Sequence, residues 1–217
     1  MLKLLKKELT LSASVLSFLF IAFGFMTLIP GYPILMGAFF VCQGIFFSFQ
    51  KCREESDILY LALLPVRKSD VVRSKFAFSI FIELCAFLLM SALTLCRMTF
   101  LADAPAYLSN VLMTANPVYL AFVLLIFGGF NLIFIRGFFK TAYKFAKPFI
   151  GFVIWAVLLI GLAEVLHHIP GLEALNSSGF ENPVLTGSIL CGGIVLYLLM
   201  TLAAVRASIR SFEKIDL

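Results

Sequence analysis

Long apolar runs separated by short polar or charged breaks set the rhythm of this chain. They cover residues 12–29, 33–49, 76–96, 118–135, 149–167 and 185–205. A helix needs roughly 20 apolar residues to cross a hydrocarbon core of about 30 Å. None of the runs shows the two-residue alternation of a barrel strand, and in lipid only helices and closed barrels satisfy their own backbone. The pattern predicts an all-α integral membrane protein, with six transmembrane helices in a single domain over residues 1–217.

The breaks carry local signals. At the start, Leu2, Leu4 and Leu5 set against Lys3, Lys6 and Lys7 predict an amphipathic surface helix over 1–10. This opening looks like a secretory signal. However, the apolar run continues to Leu28 with no A-x-A-like site before Pro30, so an uncleaved first span is expected. Ile29-Pro30-Gly31-Tyr32-Pro33 allows only a tight turn. Segment 50–75 is the most polar of the chain. In it, Glu54-Glu55-Ser56-Asp57 leads into apolar residues that stop at Pro65, the pattern of a short helix with an acidic first turn. Ser69-Asp70 reads as the N-cap of the helix that follows. Residues 136–147 are basic and aromatic (Phe138, Phe139, Tyr143, Phe145), as interfacial segments are. Segment 168–184, with Pro170, Gly171 and Asn176-Ser177-Ser178-Gly179, is long enough to fold over one end of a bundle. Asn176-Ser177-Ser178 also matches a glycosylation acceptor, which counts only in an organism with that pathway.

Composition excludes a soluble fold. Of 217 residues, 62% are hydrophobic and 13% charged, with a mean hydropathy of +1.05. A soluble domain carries about 25% charged residues. Charge then sets the orientation. All Lys and Arg residues except Arg97 fall at the start (Lys3, Lys6, Lys7), in 51–75, in 136–147, or in the tail (Arg206, Arg210, Lys214). With six spans these places share one side, which the positive-inside rule makes cytoplasmic, with both termini on it. Asp103, Glu173 and Glu181 fall in the opposite segments. The net charge of +5 therefore reports topology and contact with anionic lipid rather than nucleic-acid binding.

Few residues are candidates for chemistry. Glu83 lies about 12 Å beyond Lys75 at roughly 1.5 Å per helical residue. An acid at that depth is costly and is a functional candidate; the alternative is a packing contact with Ser79 or a neighbouring helix. Gln43 and Asn131 suit interhelical hydrogen bonds and, with Glu83, are candidates for lining a substrate pathway. Arg97 is expected to snorkel to the surface. Gly128-Gly129 and Gly192-Gly193 read as close-packing points. Glu164, His167 and His168 share a helix face, but a metal set needs further ligands and none is assigned. The five cysteines show no metal or redox spacing and read as small buried apolar residues. No GxSxG, HExxH or phosphate-loop motif is present, so no enzymatic activity and no bound cofactor are expected. Glu54-Glu55 is similar to the paired glutamates of intramembrane prenyl-protein proteases. Ile58 and Leu59 stand where that chemistry needs an arginine.

The order of parts goes further by resemblance. A surface helix, two spans, a large loop with a short helix, and four more spans resemble the ABC-2 type permeases, the membrane subunits of ATP-binding cassette exporters. The local match is Glu55 and Asp57 ahead of Leu63-Leu64-Pro65-Val66-Arg67-Lys68-Ser69-Asp70-Val71-Val72, then Ser74-Lys75-Phe76. It looks like the family's acidic residue followed by "LPV-S/T-R-x-D-I-V" and "S-K-Y/F"; here Arg67 follows Val66 directly, without the usual Ser or Thr. In size and layout the chain is similar to small bacterial exporters of amphipathic peptides, such as phenol-soluble modulin exporters. The resemblance implies a coupling helix that docks on an ATPase, carried by Glu54, Glu55, Asp57, Leu59, Leu63, Leu64, Pro65, Arg67 and Lys68. It also implies a bacterial plasma membrane location, two copies of the permease, two ATPase subunits that bind ATP and Mg²⁺, and hydrophobic or amphipathic cargo. A non-transporting immunity or assembly protein and an ion-gradient-driven transporter stay open beside it. The second would need more intramembrane acids or two similar halves.

Overall fold

The computed structural model describes residues 7–8, 13–55, 67–108, 110–141, 144–177, 180 and 182–215. The amphipathic helix expected over 1–10 and the short helix expected within 54–66 therefore lie almost wholly outside the described residues. Within them the chain is helical and no strand occurs. Helix α1 (Val15–Leu19) passes into a 3₁₀ helix, Phe20–Leu28. Helix α2 is Met36–Glu54, α3 is Lys68–Thr99 and α4 is the short Pro105–Leu108. Helix α5 (Pro117–Gly129) runs through a π-helical segment (Phe130–Ile135) into α6 (Arg136–Lys140). Helix α7 is Ala146–Leu166, and α8 is Pro183–Glu213.

Four of these stretches are long and apolar enough to cross a bilayer: Lys68–Thr99, Pro117–Lys140, Ala146–Leu166 and Pro183–Glu213. The first two apolar runs differ. Helix α2 has 19 residues but ends in Lys51, Arg53 and Glu54. The first run, Val15–Leu28, is shorter. Its 3₁₀ portion rises about 2.0 Å per residue against 1.5 Å in an α-helix, so the segment reaches roughly 25 Å. That is close to a hydrocarbon thickness.

Local chemistry explains the boundaries. Pro117 and Pro183 open α5 and α8, where a missing N–H costs nothing. Asn116 caps α5 by accepting from the Tyr119 N–H at 3.0 Å. The Pro30-Gly31 turn uses φ +73° at Gly31, a conformation open to glycine. Ser69-Asp70 is not the cap of α3. The helix starts at Lys68 after an extended Arg67 with no side-chain cap, and Asp70 sits in the first turn beside Arg73.

Helices α5 and α8 make the most extensive contact in the bundle. Gly193 permits it: a Cβ there would meet the Ala121 Cα at 2.9 Å. Because the obstacle is backbone, Gly193→Ala is expected to cost about 1–3 kcal/mol. Gly192 faces open space, so Gly192→Ala is expected to be neutral or stabilising by up to about 1 kcal/mol. Thermal unfolding of the two variants in detergent checks the contrast.

The phenylalanines divide between core and lipid faces. Phe134 sits among Phe46, Phe49, Phe130, Phe138 and Phe149, binding α2, the π segment and α7 together. Phe138 and Phe139 are fully buried and not interfacial, because the fourth apolar run stays helical to Lys140 and turns them inward. Helices α7 and α8 present exposed Ile154, Leu158 and Leu162, and Val195, Leu199 and Leu202, an apolar surface suited to lipid. Of the cysteines, only Cys42 and Cys52 are buried; Cys191 is exposed.

The basic segments gather at one end of the bundle. Lys75 Nζ donates to Glu8 Oε2 at 2.5 Å, Lys68 Nζ to the Ile215 carbonyl at 2.7 Å, and Arg53 lies over the Phe145 ring at 4.7 Å. At the opposite end, loop backbone is held by side chains. Asn176 Oδ1 accepts from the Thr114 N–H at 2.6 Å, and Asn116 Nδ2 donates to the Leu175 carbonyl at 2.8 Å.

Candidate functional site

Helix α3 runs 32 residues without Gly or Pro. Ser79 and Glu83, four residues apart, therefore share one face. That face points into the bundle, and Glu83 is only 1% exposed. Asn131 lies in the π segment, whose wider turn offsets it from the regular helical positions on either side. Tyr197 and Thr201, again four apart, face inward from α8.

These side chains close a single network. Tyr197 OH donates to Glu83 Oε2 at 2.7 Å, Asn131 Nδ2 donates to the same oxygen at 3.0 Å, and Ser79 Oγ donates to Oε1 at 3.3 Å. Asn131 Nδ2 also reaches Thr201 Oγ1 at 3.2 Å. Three helical elements are thus tied through one carboxyl group far from either end. Asn131 Oδ1 is buried there without a hydrogen-bond partner. Such an orphan acceptor is costly in an apolar interior and marks a place for a further donor. Gln43, half-buried on α2, is not part of the network. Of the three pathway candidates, the structure brings together Glu83 and Asn131 and leaves Gln43 apart.

The loop residues divide differently. Asp57, Leu59, Leu63, Leu64 and Pro65 fall outside the described residues. Glu54 Oε1 accepts from Gln50 Nε2 at 2.9 Å, and Glu55 lies 3.7 Å from Lys51, so both acids hold the exposed end of α2. Arg67 is exposed, and Lys68 is tied to the tail through Ile215. One turn or two farther on, the buried Glu8–Lys75 pair anchors the start of α3 to the chain's first described residues.

Over residues 2–213 the chain matches a family described as ABC-2 family transporter protein. It belongs to the ABC-2 transporter family. No curated protein and no solved structure shows a significant match. Chains of this family are the membrane-embedded parts of transporters that work with an ATP-binding cassette ATPase.

The network combines two features that recur at functional sites, an acid buried within a spanning helix and a π segment. One further expectation changes. Arg97 does not snorkel: it is 2% exposed, donates from Nη1 to the Thr27 carbonyl at 2.9 Å, and lies 4.2 Å from the centre of the Tyr107 ring. Glu164 and His167 serve as loop clasps. Glu164 Oε2 accepts from the Met113 N–H at 2.8 Å, and the His167 ring contacts the Val111 carbonyl at 3.1 Å. Sequence reasoning missed Tyr197, Thr201 and Glu8. The Tyr197/Thr201 pair did leave a signal, two polar residues one turn apart in an apolar run. Glu8 left none, since an acid in a lysine-rich amphipathic stretch reads as solvated.

Proposed function

We propose that this chain is the membrane subunit of a bacterial ABC exporter that moves hydrophobic or amphipathic molecules, peptides above all, out of the cell. ATP and Mg²⁺ are bound and the ATP hydrolysed by a separate ATPase, present in two copies with two copies of this chain. The family match over 2–213 carries the reading. Two observations support its details. The basic segments gather at one end, as a cytoplasmic face with both termini on it requires. The stretched 3₁₀ segment lets the first apolar run reach across, and with α2 it would bring the four long spans to six.

In this reading the loop from Glu54 to Lys68 docks on the ATPase, and its movement passes directly into α3, where Glu83 lies. Cargo selectivity then follows from an apolar interior with one polar station at Glu83 and Asn131. The test is purification of the tagged chain from its native membranes in gentle detergent. We expect a near one-to-one ATP-binding cassette subunit to co-purify. Charge reversal at both Glu55 and Asp57 is expected to lower its recovery by on the order of tenfold, with membrane insertion unchanged. Undiminished recovery from the double variant would remove the coupling assignment, and a clean chain in several detergents would favour an immunity-type membrane protein.

A further inference from the structure

Arg97 is buried at the end of the bundle opposite the basic segments, two residues before α3 ends at Thr99. Its guanidinium is only partly satisfied. Nη1 donates to the Thr27 carbonyl at 2.9 Å, while Nε and Nη2 are buried without any hydrogen-bond partner. The Tyr107 ring, 4.2 Å away, does not satisfy them. A ring over a guanidinium engages its flat face, whereas the N–H donors point out in the plane. Among the described residues no carboxylate pairs with Arg97 either. The free side is therefore the Nε–Nη2 edge, two parallel donors whose spacing fits the two oxygens of one oxyanion.

Surroundings decide which oxyanion. Phe25, Ile29 and Phe100, from the segments that flank Arg97, are exposed, Phe100 to 84%. In a membrane chain these side chains lie in lipid, and exposed Tyr32 at the same end suits the interface. An arginine within about one turn of a spanning helix's end sits near headgroup level. There the phosphodiester is the abundant oxyanion. Tyr107, whose ring lies over Arg97, belongs to the four-residue α4 and is held by its OH donating to the Leu28 carbonyl at 2.8 Å.

We propose that the Nε–Nη2 edge of Arg97 is a binding site for the phosphodiester of a phospholipid in the leaflet at this end of the bundle, with Tyr107 as its lid. The inference rests on membrane embedding alone and stands whether or not the chain exports peptides. The phosphate replaces the missing in-plane acceptors: when the Tyr107 ring swings off its flat face, the guanidinium can turn this edge toward the headgroup. The fork discriminates by oxyanion geometry, so anionic and zwitterionic phospholipids both fit and a phosphate-free glycolipid does not.

The test is native mass spectrometry of the full chain, with any co-purifying ATPase, after exchange into phosphatidylglycerol, phosphatidylcholine or a glucosyl diacylglycerol. We expect one retained phospholipid per chain with either phospholipid and none with the glycolipid. Arg97→Gln is expected to lower retention by on the order of tenfold, and Arg97→Lys, which keeps the charge but loses the fork, by nearly as much. Tyr107→Ala leaves Arg97 intact and is expected to accelerate lipid exchange several-fold, which keeps the proposal testable if Arg97→Gln fails to fold. Equal retention by wild type and Arg97→Gln, retention of the glycolipid, or an exchange rate indifferent to Tyr107→Ala would each overturn it. Displacement of the lipid by millimolar inorganic phosphate would reassign the edge to a free anion. Displacement by a peptide carboxylate, but not by the peptide amide, would reassign it to cargo.

Discussion

Glu8→Gln is expected to destabilise the folded chain by about 3–5 kcal/mol, while Lys75→Met falls at the low end of that range or below it. An exposed ion pair would be worth only about 0–1 kcal/mol, so burial decides the size of the effect. Both side chains are almost fully buried, with side-chain exposures of 4% for Lys75 and 2% for Glu8, and they meet at 2.5 Å. Removing the carboxylate takes away the counter-charge that meets the buried ammonium of Lys75. Removing the ammonium is milder, because Lys7 lies 3.7 Å from the other oxygen of Glu8 and is itself 20% exposed. The Glu8→Gln/Lys75→Met double variant is expected to recover most of the loss, since both charges of the buried pair are removed together. Thermal unfolding in one detergent across all three variants is the measurement. Equal small losses, each under about 1 kcal/mol, would show the pair to be solvated and unimportant.

The long spans were legible because their signal is redundant. Residues 117–140, for instance, hold an 18-residue window with a mean hydropathy of 2.5, which reports a membrane segment. The first run was legible as apolar but not as 3₁₀, a choice made by its contacts with α2 and α3 rather than by propensity. At Gly44, a Cβ would stand 2.7 Å from the Phe20 Cβ, and Ser17 donates to the Gly44 carbonyl at 2.6 Å, so tertiary packing fixes that backbone. Phe138 and Phe139 misled for a related reason. Aromatic residues beside lysines are equally plausible at an interface and in a core, and only the continuation of the helix to Lys140 separates the two.

Legibility of the candidate site was uneven in an instructive way. Glu83 stood out because a lone acid in a span is improbable without a reason. Its partners did not, since tyrosine and threonine are ordinary in membrane helices. Their assembly depends on the rotation of α8 against α3, which no local pattern encodes. Arg97 misled because its side chain is long enough to reach water from near a helix end. What holds it inside is the Thr27 carbonyl and the Tyr107 ring, contributed from opposite sides along the sequence.

Substituting Glu83 separates a working residue from a packing residue. Glu83→Leu removes the acceptor from Ser79, Asn131 and Tyr197 together. Two of these bonds cross between elements, and interhelical hydrogen bonds in membranes average about 0.6 kcal/mol because the unfolded chain also finds partners, so with the buried donors left unpaired the expected loss is about 2 kcal/mol. Glu83→Gln behaves differently. A glutamine oxygen still accepts from Tyr197, and its amide N–H donates to Asn131 Oδ1, the acceptor that now lacks a partner. Its stability is therefore expected to change by less than about 1 kcal/mol. If the carboxyl group meets cargo or helps switch α3 against α8, ATP-dependent efflux of an amphipathic peptide falls by on the order of tenfold in Glu83→Gln despite the intact fold. Efflux equal to wild type in Glu83→Gln, with Glu83→Leu destabilised as expected, would make the cluster a structural tie. The orphaned oxygen of Asn131 would then be a packing cost rather than a place for cargo.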